Sequence, residues 1–138
     1  MIGVVICTHG AAGRGLVQAA EMICGQQAHL AVVSYEMGET TEALRQQINK
    51  SFASFEPLSE IFVLTDIKGG TPFNVMVDII RDAPQYRLVS GVNLPMLLEL
   101  FINRDNLGLD ALTDKVLASG QKGIYQYTVS NEDADEDF

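Results

Sequence analysis

Residues 61–74 read IFVLTDIKGGTPFN, a buried-strand pattern that runs directly into the start of a helix. The first five residues form an apolar run ending at Thr65, of the kind found in parallel strands that are covered on both faces. After a glycine-rich loop, Thr71 is expected as the N-cap and Pro72 as the first residue of a helix. A buried strand joined to such a helix is typical of a βαβ unit.

The same alternation of strand and helix patterns extends along the chain. Apolar runs predict further strands at residues 2–7, 30–35 and 86–89, and helical spacing predicts helices at about 14–24, 41–52, 96–102 and 110–119. We therefore expect right-handed βαβ units in an open, doubly wound α/β sheet, mostly parallel, with the flavodoxin-like strand order 2-1-3-4 and helices on both faces. The alternating run at 124–129 predicts a C-terminal, antiparallel strand, either at the sheet edge or exchanged in a dimer.

The composition fits one domain. The chain has 138 residues, 47% of them hydrophobic, which is enough for a core without disulfides or metal. The 9 Lys and Arg against 18 Asp and Glu give a net charge of −9, which disfavours nucleic acid and anionic membranes as partners. Residues 131–138 are interpreted as an acidic C-terminal tail without an assigned function. No signal-peptide pattern and no membrane-spanning run are found, so the expected location is cytoplasmic.

Two loops of the predicted sheet carry the candidate chemistry. In such sheets ligands bind beyond the carboxyl ends of the strands where the strand order reverses, here between the first and third strands. His9 lies in the loop after the first strand, and Asp66 begins the loop after the third. A carboxylate that accepts from one imidazole nitrogen fixes the tautomer and leaves the other nitrogen free as a nucleophile. We therefore predict that His9 and Asp66 act together.

The loop after Asp66 has features of a phosphate site. Gly69 and Gly70 let the backbone approach closely, Thr71 offers a hydroxyl, and the amides of a helix N-terminus point toward an anion. Asn93, after the fourth strand, either reaches the same rim or only caps the next helix. Neither loop has a cluster of carboxylates for magnesium, so no metal and no cofactor are expected.

The motifs THG (8–10), DIKGGTPFN (66–74) and GVNLPMLLE (91–99) occur in an order that resembles the mannose-family IIA domain of the bacterial sugar phosphotransferase system. The resemblance covers roughly residues 1–127 and implies that residues 1–130 form a phosphoryl-carrier domain. It implies that His9, paired with Asp66, accepts a phosphoryl group from the carrier protein HPr. The group then passes to a IIB domain, which phosphorylates sugar during import by the membrane subunits IIC and IID.

The resemblance also implies a homodimer in which the last strand is exchanged. This chain has Thr71 where many members have serine, and Ile67 and Lys68 where an aromatic residue often follows the aspartate, so the sugar and the IIB partner are not predicted. Many members continue through a linker into a IIB domain. Because this chain ends in an acidic tail, it looks like a stand-alone IIA component.

Other functions fit less well. A receiver-like signalling domain would use Asp66 as phosphoacceptor, but receivers need acidic residues after the first strand, where this chain has Thr8 and His9. A flavin or nucleotide module lacks its phosphate-binding motif here. A regulator whose phosphorylation state is read by another protein remains compatible with the first interpretation. Cys7 is expected to be a buried thiol, and His29 to be structural or solvated at the start of the second strand.

Overall fold

The computed structural model of the chain describes residues 1–129, and the acidic tail predicted at 131–138 lies outside them. Four strands pair in parallel in the order β2-β1-β3-β4. Their bounds are Gly3–His9 for β1, Leu30–Tyr35 for β2, Ile61–Thr65 for β3 and Tyr86–Ser90 for β4. The predicted open parallel sheet and its order are therefore confirmed.

Five helices cover the two faces of the sheet. They are α1 (Ala12–Cys24), α2 (Thr41–Ala53), α3 (Thr71–Ile80), α4 (Leu94–Asn103) and α5 (Leu109–Lys122). Apolar residues of α1, α4 and α5 form one core cluster with the sheet, and those of α2 and α3 form the other. Strands β1 and β3 are consequently buried on both sides, which explains their continuous apolar sequences. Within residues 1–129 no helix is both long and apolar enough to cross a membrane.

Helix α3 begins one residue earlier than predicted. Gly70, with φ −75° and ψ 171°, is the N-cap, while Thr71 is the first helical residue and Pro72 the second. The prediction of Thr71 as N-cap is therefore wrong, because a glycine N-cap works through its extended backbone and leaves no side-chain signal in the sequence. At α2 the side-chain signal is present, since Thr40 accepts a hydrogen bond from the Ala43 N–H at 3.0 Å.

The C-terminal run does not join the chain's own sheet. Residues 124–128 form no strand and pair with none of the four strands described. Ile124, Tyr127 and Val129 are exposed. The expectation of an edge strand in the same chain is therefore wrong, because alternation shows which faces a strand would have but not which sheet it joins. Exchange between subunits involves a second chain and stays a prediction.

A buried arginine organises the amino end of the sheet. Arg104, just after α4, is 2% exposed. Its Nη2 donates to the carbonyl of Ile2 at 2.6 Å and to that of His29 at 3.0 Å, and its Nη1 donates to Oε1 of Gln27 at 3.3 Å. The backbone N–H of Val4 also donates to the His29 carbonyl. Arg104 thereby joins the end of α4 to the starts of β1 and β2, and His29 lies at this end, as predicted.

Candidate functional site

The ends of β1 and β3 bring His9 and Asp66 together. Cys7 and Thr65 are register partners, so the residues that follow them meet at the carboxyl edge of the sheet. Oδ2 of Asp66 accepts a hydrogen bond from the backbone N–H of His9 at 3.0 Å and lies 2.9 Å from its Nδ1. The carboxylate thus accepts the hydrogen bond that a backbone carbonyl would accept if the β1–β3 pairing continued beyond Thr65.

The imidazole of His9 is held on one side and open on another. Its side chain is 50% exposed, whereas that of Asp66 is 24% exposed. Tyr35, the register partner of His9 on β2, packs edge-on against the ring with centroids 5.9 Å apart. Within residues 1–129, Nε2 of His9 forms no hydrogen bond. The nitrogen that faces away from Asp66 is therefore available to a reactant.

The charge of Asp66 determines which ring nitrogen carries the proton. Burial raises the pKa of the Asp66 carboxyl, but hydrogen bonds from the backbone N–H and the ring of His9 outweigh burial and hold the pKa below its usual value. The carboxylate is therefore ionised at neutral pH and can only accept. In the neutral imidazole, Nδ1 is assigned the proton and Nε2 the free lone pair.

Gly70 places the start of α3 against the imidazole. A Cβ atom at Gly70 would lie 3.0 Å from Cε1 of His9 and 2.7 Å from Cγ2 of Ile67, so the backbone touches the ring only because a side chain is absent. Gly69 has φ +84°, a conformation that favours glycine, and its carbonyl accepts from Nδ2 of Asn74 at 3.1 Å. The loop thus fixes a helix N-terminus, with its partial positive charge, beside His9.

Thr71 and Asn93, both predicted as phosphate-rim candidates, have different surroundings. The hydroxyl of Thr71, on the first turn of α3, forms no hydrogen bond within the described part of the chain. Asn93 is the N-cap of α4: its Oδ1 accepts from the Met96 N–H at 3.1 Å, and its Nδ2 donates to the Gly120 carbonyl at 3.1 Å. The polar atoms of Thr71 are open to a ligand, whereas those of Asn93 hold α4 and α5 together.

Two other features bear on the chemistry. Cys7 is fully buried, and burial, with the nearby charges of Asp66 and Glu39, raises the pKa of its thiol to about 12, so it is not a nucleophile at neutral pH. In residues 1–129 no three His, Cys, Asp or Glu side chains are grouped so that they could hold a metal ion.

Tyr35 was missed by the sequence interpretation, although the β1–β2 register would have placed it next to His9.

Sequence comparison places the chain among known proteins. The family described as "PTS system fructose IIA component" matches residues 3–117. The "PTS system mannose-specific EIIAB component" of Escherichia coli is 34% identical over 124 residues, which are 89% of this chain and 38% of that protein. The chain thus spans 38% of the length of that relative. The "PTS system fructose-specific EIIA component" of Bacillus subtilis is 30% identical, with 99% of both chains covered.

Solved structures give the same result. A phosphotransferase system component EIIA from Streptococcus agalactiae superimposes with a TM-score of 0.84 at 32% identity, covering 91% of this chain and 97% of that one. A mannose/sorbose specific IIA subunit from Enterococcus faecalis has a TM-score of 0.83 at 25% identity, with 93% and 96% covered. Both the fold and the sequence of this chain are therefore similar to those of IIA components.

Proposed function

The chain belongs to the family of fructose- and mannose-type IIA components of the sugar phosphotransferase system, and from this premise we propose that it carries a phosphoryl group on His9. The group would come from phospho-HPr and pass to a IIB domain. The observation that carries the proposal is the pairing of Nδ1 of His9 with Asp66 at 2.9 Å, which leaves Nε2 without a partner among residues 1–129 and close to the N-terminus of α3. This arrangement supplies a nucleophile and an anion site at the same place.

The transfer is a displacement between two imidazoles. The lone pair of Nε2 attacks the phosphorus of phospho-HPr in line, and a new N–P bond forms as the bond to the donor nitrogen breaks. The electron pair of the broken bond stays with the donor ring. Nδ1 of His9 keeps its proton, so positive charge develops on the ring, and the carboxylate of Asp66 offsets it. Transfer to the IIB acceptor is the reverse of this step.

The N-terminus of α3 would bind the equatorial oxygens of the phosphoryl group. The first N–H groups of a helix have no partner within it, and Thr71 and Phe73 supply two of them because Pro72 has none. The hydroxyl of Thr71 adds a third donor. These groups are fixed before the reaction by the Gly69–Asn74 hydrogen bond, so they reorganise little as charge shifts between the oxygens.

The partners and the location follow from the same proposal. The IIB acceptor would phosphorylate sugar during import by membrane IIC and IID subunits, and a protein served by HPr is expected in the cytoplasm. The relatives are described as mannose-, fructose- and sorbose-specific, so a sugar of this type is the expected substrate of the whole system. Incubating the protein with IIB domains of each type, and measuring phosphoryl transfer, would identify the acceptor.

A homodimer with exchanged C-terminal strands is also proposed. The outer edge of β4 is unpaired within residues 1–129, and an apolar groove beside it is lined by Phe73, Leu88 and Leu117. The 124–129 run has the strand pattern that such an edge could pair with, and its apolar residues are exposed in the single chain. Sedimentation of the full chain at micromolar concentration should give a dimer. A monomer at that concentration would contradict the exchange.

The site itself is tested by phosphorylation with purified components. The protein is incubated with phosphoenolpyruvate, enzyme I and HPr, and the modified residue is mapped. Because the chain has only two histidines, His29→Gln is the matched control for His9→Ala. We expect incorporation in the wild type and in His29→Gln and none in His9→Ala. Phosphate should be lost in acid and retained in alkali. An alkali-labile phosphate on Asp66 would instead establish the receiver-like alternative.

A further inference from the structure

Two buried hydroxyls lie at the carboxyl ends of β3 and β4. Thr65 and Ser90 are register partners at the ends of β3 and β4. By strand alternation both side chains lie on the α2 and α3 face of the sheet, the face to which Val63 and Leu88 belong. Thr65 is completely buried, and the hydroxyl oxygens of Thr65 and Ser90 are buried without a hydrogen-bond partner in the part of the chain described.

A third unpaired atom belongs to Asp66 itself. Oδ2 of this carboxylate interacts with two nitrogens of His9, whereas Oδ1 is buried and has no partner among residues 1–129. Asp66 follows Thr65 directly in the chain, and Asp66 and Ser90 line the same groove, whose volume is about 580 Å³. Three buried polar atoms without a partner in the described part of the chain thus belong to residues that are neighbours in sequence or in register at the carboxyl ends of β3 and β4.

Buried polar atoms in folded proteins are nearly always hydrogen-bonded, and an ordered water serves where protein atoms do not. We propose that Thr65, Ser90 and Asp66 together bind one water molecule that donates a hydrogen bond to Oδ1, which makes Thr65 and Ser90 positioning residues for phosphoryl transfer. The inference rests on the proposed role of His9 and extends it. A water with two or more polar partners and an accessible groove meets the usual requirements for such a site.

The water would act through the carboxylate. Oδ2 orients the imidazole, so any rotation of the carboxyl group moves the ring relative to α3. A hydrogen bond to Oδ1 fixes that rotation and favours the ionised form of Asp66. Removing the water should therefore slow transfer and raise the pKa of Asp66, while the affinity for phospho-HPr, measured as KM, should stay the same.

The test removes the hydroxyls without changing the packing. Thr65→Val and Ser90→Ala are each expected to lower kcat for phosphoryl acceptance from phospho-HPr about tenfold, the size expected for the loss of one hydrogen bond to a charged group. Carbon-13 titration of the Asp66 carboxyl should show a raised pKa in both variants. Thr65→Ser, which keeps the hydroxyl, should restore kcat.

Ser34→Ala is the matched control. The Ser34 hydroxyl is likewise buried and unpaired within residues 1–129, but Ser34 lies on β2 in register with Thr8, on the opposite face of the sheet from Thr65. Ser34→Ala should leave kcat and the titration of Asp66 unchanged.

Stability separates a bound water from truly unpaired hydroxyls. If no water links these atoms to Asp66, Thr65→Val and Ser90→Ala remove a buried unpaired group, and both proteins should unfold at higher denaturant concentration with wild-type kcat. That result, or a direct hydrogen bond between Thr65 and Ser90 in a high-resolution crystal structure, would overturn the inference. A failure of the proposed function is distinguishable, because then either the wild type would take up no phosphate or His9→Ala would still be phosphorylated.

Discussion

The two ends of the parallel sheet differ in how their polar groups are paired. At the amino end Arg104 donates hydrogen bonds to the carbonyls of Ile2 and His29 and to Gln27. At the carboxyl end Nε2 of His9 and Oδ1 of Asp66 have no partner within residues 1–129. One end is thus stabilised by hydrogen bonds within the protein, whereas the other holds polar atoms that, under the proposed function, would face a reactant.

The parallel arrangement of the strands explains why polar atoms without a partner lie at the carboxyl end of the sheet. The carboxyl ends of all four strands lie at the same edge, and the helices that follow begin there with unpaired N–H groups. Helix α3 begins in this way at Gly70, close enough to the imidazole that a Cβ atom on Gly70 would lie 3.0 Å from Cε1 of His9. The amino edge instead receives helix ends, with partial negative charge, where a buried cation such as Arg104 fits.

The largest expected effect is a loss of stability when Arg104, at the amino end of the sheet, is replaced. Arg104→Met should lower the free energy of unfolding by about 3 kcal/mol, because it takes both guanidinium donors from the carbonyl of the buried Ile2 and one of the two donors from the His29 carbonyl. Phosphoryl transfer per folded molecule should be unchanged. Urea unfolding and single-turnover transfer measure the two quantities.

Arg81→Met is the control for Arg104→Met. Arg81 is exposed, and its one ion pair among the described residues is with Asp78 at 3.4 Å, so the loss should stay below about 0.5 kcal/mol. Equal stability of Arg104→Met and wild type would show that the hydrogen bonds at the amino end do not stabilise the protein.

The second change targets the carboxyl end. Asp66→Asn should slow phosphoryl acceptance about a hundredfold, because the charge that develops on the imidazole loses its counter-ion. The amide still accepts from the His9 N–H, so the urea midpoint at pH 7 should change little. Asp110→Asn, which changes an exposed carboxylate in the first turn of α5 that pairs with Arg87, is the control and should transfer at the wild-type rate. A wild-type rate for Asp66→Asn would remove Asp66 from the mechanism.

A third change alters only how closely the start of α3 approaches the imidazole of His9. Gly70→Ala adds a Cβ that must displace Ile67 or the imidazole, and we expect transfer to slow about tenfold through lost alignment. Gly70 has φ −75°, so alanine is not excluded by the backbone.

Gly15→Ala is the matched control for Gly70→Ala. A Cβ at Gly15, within α1, meets nothing within 4 Å. This variant should keep its rate and gain about 0.5–1 kcal/mol of stability. Equal rates for Gly70→Ala and Gly15→Ala would show that the contact with His9 is not needed.

The smallest expected effect is the pH dependence of stability that the lowered pKa of Asp66 confers. Because the pKa of Asp66 is lower in the folded protein than in the unfolded chain, its contribution to stability is complete above the unfolded value of about 4 and is lost as the pH falls through the folded value. Wild type should therefore lose more stability than Asp66→Asn between pH 5 and about pH 2. Parallel urea midpoints for the two proteins over this range would contradict the assignment.

The strands of the sheet could be predicted because burial on both faces requires apolar side chains, which are visible in the sequence. Apolar runs such as 61–65 mark strands buried on both faces, and β2 and β3 begin and end where the sequence predicts. The proximity of His9 and Asp66 follows from strand order, which places their loops side by side. Both are consequences of patterns that a single sequence contains.

The features that escaped prediction depend on backbone or on distant residues. The Gly70 N-cap has no side chain to reveal it. Arg104 looks like a solvated residue after a helix, and only the folded chain brings its guanidinium to carbonyls at Ile2 and His29. The unpaired hydroxyls of Thr65 and Ser90 likewise become notable only when their burial is known.

The double hydrogen bond of Asp66 to His9 has a consequence for recognition. A single carboxylate oxygen interacts with the backbone N–H and with Nδ1 of the same residue, so the side-chain torsions of His9 are restricted before any partner arrives. The conformational entropy of the His9 side chain is therefore lost during folding and not each time a partner protein binds. If Nε2 carries the phosphoryl group as proposed, loading and unloading it would require no rearrangement of the ring, and the two states of the protein would differ in charge rather than in shape. Donor and acceptor proteins would accordingly tell them apart electrostatically.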